Sequence, residues 1–230
     1  MTWKATNSEG YRAPVALATD VVVLTVQAAE LRVLLVERPE GELALPGGFV
    51  GPAESPAATA RRKLHEKTGV GDVYLEQLAT FAEPGRDPRG WIPSVAFVAL
   101  VVPDTAVGDR GAAWFPSRSH GPLAFDHGEI VATALERIEG KLWWSNVAVG
   151  ILPPAFTMAE ARAAYEAIAA KRYDPATFAR DLKATGLVEP ARRKRRQARG
   201  RPAELYRFGS RDLQWGAGRR KRIHEPRAAA

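Results

Sequence analysis

Apolar runs along the first part of the chain predict a set of buried strands. Residues 21–26 and 31–36 are almost continuously apolar and have the length of buried strands. Further strands are predicted over residues 74–81 and 95–102, and the Pro-Gly-Gly sequence at 46–48 predicts a turn. Strands that alternate with helices would make this part of the chain an α/β domain.

Local signals indicate two helices among these strands. Ser55 is a good N-cap, Pro56 suits the first helical position and Gly69 is a good C-terminal stop, so a helix is predicted over residues 56–68. Residues 125–140 place apolar side chains three and four positions apart, which predicts a second, amphipathic helix.

Two further helices are predicted beyond residue 150. Thr157 and Glu160 have the spacing of a capping box, which opens a helix over residues 157–171. Asp174, followed by proline, opens the next helix, and Gly186 ends it.

A basic hairpin follows these two helices. A strand from residue 187 leads to a basic tip, and a return strand is predicted over residues 205–208. Helix, turn, helix and hairpin is the element order of an α+β winged helix-turn-helix domain. We therefore predict three segments: a ligand-sensing α/β domain over residues 1–150, a DNA-binding domain over 151–210, and a basic tail over 211–230.

The charge distribution supports this division. The whole chain has a net charge of +7, but residues 151–230 carry 19 Lys and Arg against 8 Asp and Glu, a net charge of +11. The first 150 residues therefore have a net charge of −4. A strongly basic module favours polyanions, most often nucleic acid. For the last twenty residues, the alternative is a merely solvated tail.

The composition excludes several kinds of site. The chain has no cysteine, which excludes a disulfide framework, a zinc-thiolate site and a cysteine nucleophile, and fits a cytoplasmic protein. The apolar run over residues 15–26 is short and contains Asp20, so it is interpreted as a buried strand, and no membrane partner is expected. The 4 histidines match no zinc-ligand spacing.

Residues 48–70 resemble a Nudix box. The pattern is Gly48-x5-Glu54-x7-Arg62-x-Leu64-x-Glu66-x2-Gly69-Val70. In Nudix enzymes three glutamates on one helix face hold Mg²⁺, which bridges a pyrophosphate. The matching positions here are Lys63, Glu66 and Lys67, and two ammonium groups repel a cation. We therefore predict a Nudix fold, with a mixed sheet between helices, that has no metal site and no catalytic residue.

A cleft of this kind still binds a nucleotide if cations replace the metal. Arg38, Arg86 and Arg89 are the candidates for phosphate contacts because guanidinium groups match phosphate oxygens, and Glu66 completes the predicted ligand site. Lys63 and Lys67 either pair with Glu66 or neutralise a diphosphate directly. The alternative for each arginine is a solvated loop residue, with Asp87 orienting Arg89.

The helix opened by Asp174 is the predicted recognition helix. Phe178 and Leu182 are four positions apart and are expected to pack inward. Thr177 and Arg180 are the candidates for base contacts in the major groove, and Lys183 is expected to contact phosphate.

The hairpin tip over residues 192–202 is too highly charged to be buried, and we expect it to contact phosphate. The predicted contacts there are Arg192, Arg193, Lys194, Arg195, Arg196, Arg199 and Arg201. The segment Arg199-Gly200-Arg201-Pro202 also resembles the AT-hook core, which inserts arginine into narrow minor grooves.

Taken together, these motifs resemble those of the Nudix-related transcriptional regulators of bacterial NAD metabolism. The resemblance extends along nearly the whole chain and is carried by residues 46–50, 86–90, 123–127, 156–157, 200–203 and 205–208. It implies a homodimeric repressor of NAD biosynthesis or salvage genes, with double-stranded operator DNA as partner and ADP-ribose, rather than a cofactor, as the effector that weakens operator binding.

Two other functions remain open at this point. The first is an active ADP-ribose pyrophosphatase with a nucleic-acid-binding appendage, in which Glu54, Glu66 and a loop carboxylate such as Glu129 hold a metal well enough for slow hydrolysis. The second is an RNA-binding adaptor, which competition between duplex DNA and RNA would distinguish.

Overall fold

The computed structural model describes residues 16–71, 73–108, 111–195 and 202–210, with the backbone alone described for residues 192–195. Residue contacts divide the chain into two compact units, residues 1–139 and 140–230. The sequence predicts this boundary at residue 150. No helix within the described ranges is both long and apolar enough to cross a bilayer.

The first unit is built on a mixed sheet. Its strands are β1 (Ala18–Gln27), β2 (Glu30–Glu37), β3 (Leu43–Ala44), β4 (Gly47–Phe49), β5 (Glu76–Phe81), β6 (Ser94–Leu100) and β7 (Ala112–Pro116). The order is β3-β2-β1-β6-β5, while β4 pairs with β1 and β7 pairs with β2. The central pair, β1 and β6, is parallel, and the other pairs are antiparallel.

Helix α1 (Pro56–Thr68) begins and ends where the sequence predicts. The Ser55 hydroxyl accepts a hydrogen bond from the Ala58 N–H at 3.2 Å, and Gly69 adopts the left-handed conformation that closes the helix. The helix packs through Ala60 and Leu64 against Val21 and Val23 of β1.

The turn predicted at residues 46–48 is wrong, because Gly47 and Gly48 belong to β4 and pair with Asp20 and Thr19 of β1. The two backbones approach so closely that a Cβ on Gly47 would lie 2.3 Å from the Thr19 carbonyl oxygen and from Asp20 Oδ1. Glycine is therefore required at position 47 by a long-range contact, which its local turn propensity does not reveal.

Helix α2 (His127–Lys141), most of which belongs to the first unit, begins two residues later than predicted. Phe125 has a φ of 55°, in the left-handed region, so the helix cannot include it. The helix buries Ile130, Ala134 and Ile138, which have the three- and four-residue spacing of the predicted amphipathic pattern.

The second unit has the winged-helix order. A short 3₁₀ turn (Val147–Gly150) precedes α3 (Met158–Ala169), α4 (Pro175–Ala184), β8 (Val188–Arg195) and β9 (Ala203–Phe208). The predicted capping box is present, since the Thr157 hydroxyl and the Glu160 carboxylate each accept a backbone N–H of the other residue. Phe156 forms an isolated antiparallel bridge with Tyr206, which closes the unit.

Aromatic rings make the core between the two helices of this unit. Trp143, Tyr165, Tyr173 and Phe178 contact one another with ring centres 5.2 to 5.8 Å apart. Phe178 and Leu182 are buried, as predicted for the inward face of α4.

The wing departs from the prediction at its tip. Strand β8 continues to Arg195, so the first four residues of the expected tip lie in a strand. The pairing of β8 and β9 shifts register between Pro190 and Lys194, where proline lacks the N–H that the ladder needs.

Candidate functional site

A cleft in the first unit is lined by residues from β1, β4, the end of α1, the loop after β5 and the start of α2. It contains the predicted residues Arg38, Arg86 and Arg89, together with Lys67. Glu66, the fourth predicted ligand residue, is not among the lining residues. The structure therefore brings the three arginines together and places Glu66 apart from them.

Asp20 and His127 form the buried floor of the cleft. The Ser94 hydroxyl donates to Asp20 Oδ2 at 2.6 Å, and His127 Nε2 lies 3.4 Å from Asp20 Oδ1. Because His127 Nδ1 accepts the Leu45 N–H at 2.9 Å, the imidazole proton is on Nε2, facing Asp20. Burial opposes ionisation of Asp20, but the His127 and Ser94 hydrogen bonds and the charge of Arg86 outweigh it and hold the pKa of this carboxyl below its usual value.

The guanidinium of Arg86 is a buried positive charge that hydrogen bonds hold in one position next to Asp20. Its side chain is only 4 % exposed, and Nε and Nη2 donate to the two oxygens of Asp126 at 2.7 and 2.6 Å. Nη1 donates to the Ile92 carbonyl at 2.9 Å. Three of its N–H groups are therefore engaged within the protein, and Asp20 lies 3.7 Å away.

Arg89 is the more accessible of the two loop arginines, with 53 % of its side chain exposed. Its guanidinium donates to both oxygens of Asp87, as the alternative interpretation of the sequence expected. The same guanidinium lies 4.9 Å from the centre of the Phe49 ring and 5.2 Å from that of Phe125. Arg38 lies 4.6 Å from the Phe125 ring centre, so the Phe125 ring contacts two guanidinium groups.

The carboxylates of the Nudix-like segment are engaged by cations. Glu54 accepts hydrogen bonds from Arg62 at 2.8 and 2.5 Å and from Thr59 at 2.7 Å, which lower its pKa to about 2. Glu66 accepts from Arg62 at 3.0 Å and from Lys63 at 2.8 Å. The predicted pairing of Lys63 with Glu66 is thus present.

The second lysine of this segment faces the cleft. Partial loss of water around its ammonium lowers the pKa of Lys67; Asp20 opposes this effect, while Lys63 and Arg38 add to it. Within the described ranges, no three His, Asp or Glu side chains are grouped to hold a metal ion. The donor set therefore does not fit the Mg²⁺ of Nudix enzymes, which requires oxygen ligands.

The cleft also contains residues that were not predicted as ligand-site residues, among them Asp20, Phe49, Phe125 and His127. A charged residue inside a buried apolar strand was the available signal for Asp20, which is 6 % exposed. Phe49, Phe125 and His127 lie in two segments that carry the family resemblance, but only the fold brings them close to the arginines. Glu129, considered as a loop carboxylate, lies in the first turn of α2.

The second unit presents its predicted recognition helix with partly exposed polar residues. The Arg180 side chain is 72 % exposed and pairs with Asp181 at 2.9 Å. Thr177 donates its N–H to the capping Asp174, and Lys183 Nζ lies 4.9 Å from the Tyr206 ring centre, beside the wing.

The wing residues are described only in part. Arg192, Arg193, Lys194 and Arg195 lie in β8. Arg196, Arg199, Arg201 and the tail over 211–230 are outside the described residues.

Comparison with known proteins identifies both units. A NUDIX domain model matches residues 16–134, and a model of the NrtR DNA-binding winged helix domain matches residues 148–208. The ADPR responsive transcriptional repressor NtrR of Acinetobacter baylyi is 32 % identical over 208 residues, which cover 85 % of this chain and 83 % of the relative. The chain belongs to the NrtR family. The predicted Nudix fold and winged helix are confirmed.

Solved NrtR structures resemble the chain in both parts. Shewanella oneidensis NrtR in complex with a 27mer DNA is 35 % identical, with a TM-score of 0.73 over 84 % of this chain and 93 % of that one. The NUDIX domain of the same protein in complex with ADP ribose is 36 % identical, with a TM-score of 0.52 over 57 % of this chain and 93 % of that one. An ADP-ribose pyrophosphatase of Methanocaldococcus jannaschii is 34 % identical over 107 residues, 44 % of this chain and 63 % of the enzyme.

Proposed function

We propose that the chain is a DNA-binding transcriptional repressor that senses ADP-ribose through its Nudix unit without destroying it. The observation that carries this proposal is that Lys63 and Lys67 stand at two positions where Nudix enzymes have metal-binding glutamates. The neighbouring cleft is lined by three arginines. A cleft that binds a diphosphate but lacks the metal that activates water reports the concentration of its ligand.

The charges of the cleft favour an anionic ligand. Arg38, Arg89 and Lys67 are the proposed contacts of the diphosphate, since all three line the cleft. Arg86 contributes as a fixed positive charge, because Asp126 and the Ile92 carbonyl hold its guanidinium. Glu66 is proposed to act indirectly, by holding Lys63 in place.

Because cations replace the metal, ADP-ribose binding is expected to be independent of Mg²⁺. Titration calorimetry in EDTA and in excess Mg²⁺ should give dissociation constants within about twofold of each other. An assay for AMP and ribose 5-phosphate, the two products of hydrolysis at the diphosphate, should find no turnover. Replacing Lys63 and Lys67 together by glutamate should make ADP-ribose binding Mg²⁺-dependent, since two carboxylates then need a counter-ion.

The second candidate function, an active ADP-ribose pyrophosphatase, is favoured by the identity to the archaeal pyrophosphatase over 107 residues. Turnover of ADP-ribose with Mg²⁺ at about 1 per second or faster would support that function and contradict the sensor.

The winged helix is proposed to bind operator DNA as part of a homodimer. Two symmetric copies would read a palindrome with half-sites about one or two helical turns (~10 bp each) apart. ADP-ribose weakens operator binding only if the conformation that binds DNA and the conformation that does not bind DNA have different affinities for ADP-ribose.

The proposed targets are genes of NAD biosynthesis or salvage, and the cytoplasmic location follows from binding to chromosomal DNA. Mapping bound promoter fragments with and without ADP-ribose tests this assignment.

Arg180→Ala is expected to lower operator affinity about 10- to 100-fold, because one base contact is lost, and to leave ADP-ribose affinity unchanged. Gel-shift and calorimetric titrations measure the two affinities. Arg61→Ala, an exposed arginine on α1, is the matched control and should change neither. If Arg180→Ala reduced both affinities or neither, the assignment of ADP-ribose binding to the first unit and of DNA binding to the second would be wrong.

A further inference from the structure

A buried carboxylate lies at the turn between the two helices of the second unit. The Glu166 side chain is 7 % exposed, and charged side chains are rarely buried unless they are paired. Its Oε1 accepts hydrogen bonds from the Tyr173 N–H at 2.9 Å and from Arg162 Nη1 at 3.0 Å, and its Oε2 accepts one from Arg172 Nη1 at 3.0 Å. The Tyr173 N–H lowers the pKa of Glu166 most; burial opposes this effect, and both arginines add to the lowering. The carboxylate is therefore ionised at neutral pH and binds two residues of the turn.

The same carboxylate fixes the segment that leads into the predicted recognition helix, α4. Helix α3 ends at Ala170, whose φ of 48° lies in the left-handed region, so the chain turns back there. Tyr173 is then held on three sides: its N–H donates to Glu166, its carbonyl accepts from Arg162 at 3.2 Å, and its ring packs in the aromatic core. The next residue, Asp174, caps α4. The start of α4 is therefore positioned by a side chain of α3.

The two arginines on this carboxylate differ in exposure. The Arg162 side chain is 32 % exposed and also donates to the Tyr173 carbonyl, so its role is internal. The Arg172 side chain is 89 % exposed, although its Nη1 is bound to a buried oxygen. An exposed ion pair usually gains little, because two long side chains must be ordered to make it. Here Glu166 is already ordered by its other partners, so Arg172 is held at a lower entropic cost while most of its guanidinium faces solvent.

We propose that Arg172 binds a backbone phosphate of duplex DNA, and that Glu166 is the positioning residue that holds Arg172 for this contact. This inference rests on the proposed function, because it names a DNA contact of the second unit. The guanidinium fork suits phosphate oxygens, and exposed Lys171 places a second cation beside the start of α4. Phosphate contacts fix how a protein is oriented on the duplex, while base contacts read the sequence. Arg172 would therefore set the position of α4 in the groove without adding base preference.

Replacing the carboxylate separates positioning from net charge. Glu166→Gln keeps an oxygen that accepts the Tyr173 N–H but removes the charge that holds Arg172. Because this variant has one negative charge less, net charge alone predicts tighter DNA binding. Positioning predicts the opposite: binding about fivefold weaker at about 0.15 M salt, with the slope of log affinity against log salt reduced by about 0.9. Arg172→Gln should show the same two losses, and the double variant should lose no more than either single variant.

Gel-shift titrations of the full chain over a range of salt concentrations measure both quantities. The probe is a duplex that the wild-type chain selects from a random-sequence pool. Arg61→Gln and Glu136→Gln are the controls, because each removes one charge from an exposed helix position of the first unit. Both should change the slope by less than about 0.3. Arg172→Gln changes an exposed side chain, so it tests the phosphate contact even if Glu166→Gln does not fold.

Each remaining outcome has a defined meaning. Weaker binding of Glu166→Gln with an unchanged slope would make Glu166 a structural residue only and would overturn the positioning role. Tighter binding of Glu166→Gln would overturn it as well, and an unchanged slope in Arg172→Gln would overturn the phosphate contact. If the wild-type chain selected no duplex, the proposed function would fail and this inference with it. If it selected a duplex whose binding neither variant affects, this inference alone would fail.

Discussion

Asp20→Ala is expected to lower the free energy of unfolding by about 3 kcal/mol at neutral pH. The substitution leaves the Ser94 hydroxyl and His127 Nε2–H without their acceptor in a buried site, and it removes a negative charge 3.7 Å from Arg86. A buried donor without a partner costs its full desolvation free energy, which is larger than the net gain from making the bond. Urea-induced unfolding of the full chain measures the loss.

The effect of this substitution should depend on pH in a defined direction. The pKa of Asp20 is lowered in the folded chain, so its ionised form contributes stability above its unfolded value of 3.8, and that contribution is lost as the pH falls through the folded pKa. The difference in the free energy of unfolding between wild type and Asp20→Ala should therefore be constant above about pH 5 and become smaller below pH 3.8. Asp104→Ala, at an exposed turn, is the control and should change stability by less than about 0.5 kcal/mol. If the difference in unfolding free energy between wild type and Asp20→Ala grew as the pH was lowered, the ionised state of Asp20 would be contradicted.

Replacing the four cations at residues 192–195 by glutamine is expected to weaken operator binding about 10³-fold at 0.15 M salt. Each phosphate contact contributes about 0.9 to the slope of log affinity against log salt, so the slope should fall by about 3 to 4. These residues form the end of β8, where the wing approaches its tip. Gel-shift titrations over a range of salt concentrations give both quantities.

The chain supplies a matched control for this experiment. Residues 219–222 repeat the same Arg-Arg-Lys-Arg sequence in the C-terminal tail. Four glutamines there remove the same charge but leave the wing intact, so the slope should change by less than about 1. Equal losses in the two variants would mean that net charge, and not the wing, determines the affinity.

Elements with strong local signals could be predicted closely from the sequence. Helix α1 is bounded by Ser55 and Gly69, whose capping conformations depend only on neighbouring residues. Strand β4 could not be found in this way, because its pairing with β1 overrides the turn propensity of Gly47 and Gly48. Strand β7 was also missed, since it is defined by its pairing with β2, about eighty positions earlier in the chain.

The site was predictable where chemistry is visible in single residues. The charges of three arginines, and of two lysines at Nudix-box positions, indicated a site for an anionic ligand. The fold brings these arginines, Arg38, Arg86 and Arg89, to one cleft. What Arg86 and Arg89 do there depends on partners that no local pattern indicates. The Asp126 carboxylate fixes Arg86, and two rings from distant segments bracket Arg89.

The bridge between Phe156 and Tyr206 bears on the order in which the chain folds during synthesis. Phe156 and Tyr206 exchange both backbone hydrogen bonds, at 2.9 and 2.7 Å, so the second unit cannot close until residue 206 has left the ribosome. The described sheet of the first unit is complete at Pro116, and helix α2 ends at Lys141. Since domains fold as units from the N-terminus, the ligand-binding half is expected to form while the DNA-binding half is still being translated.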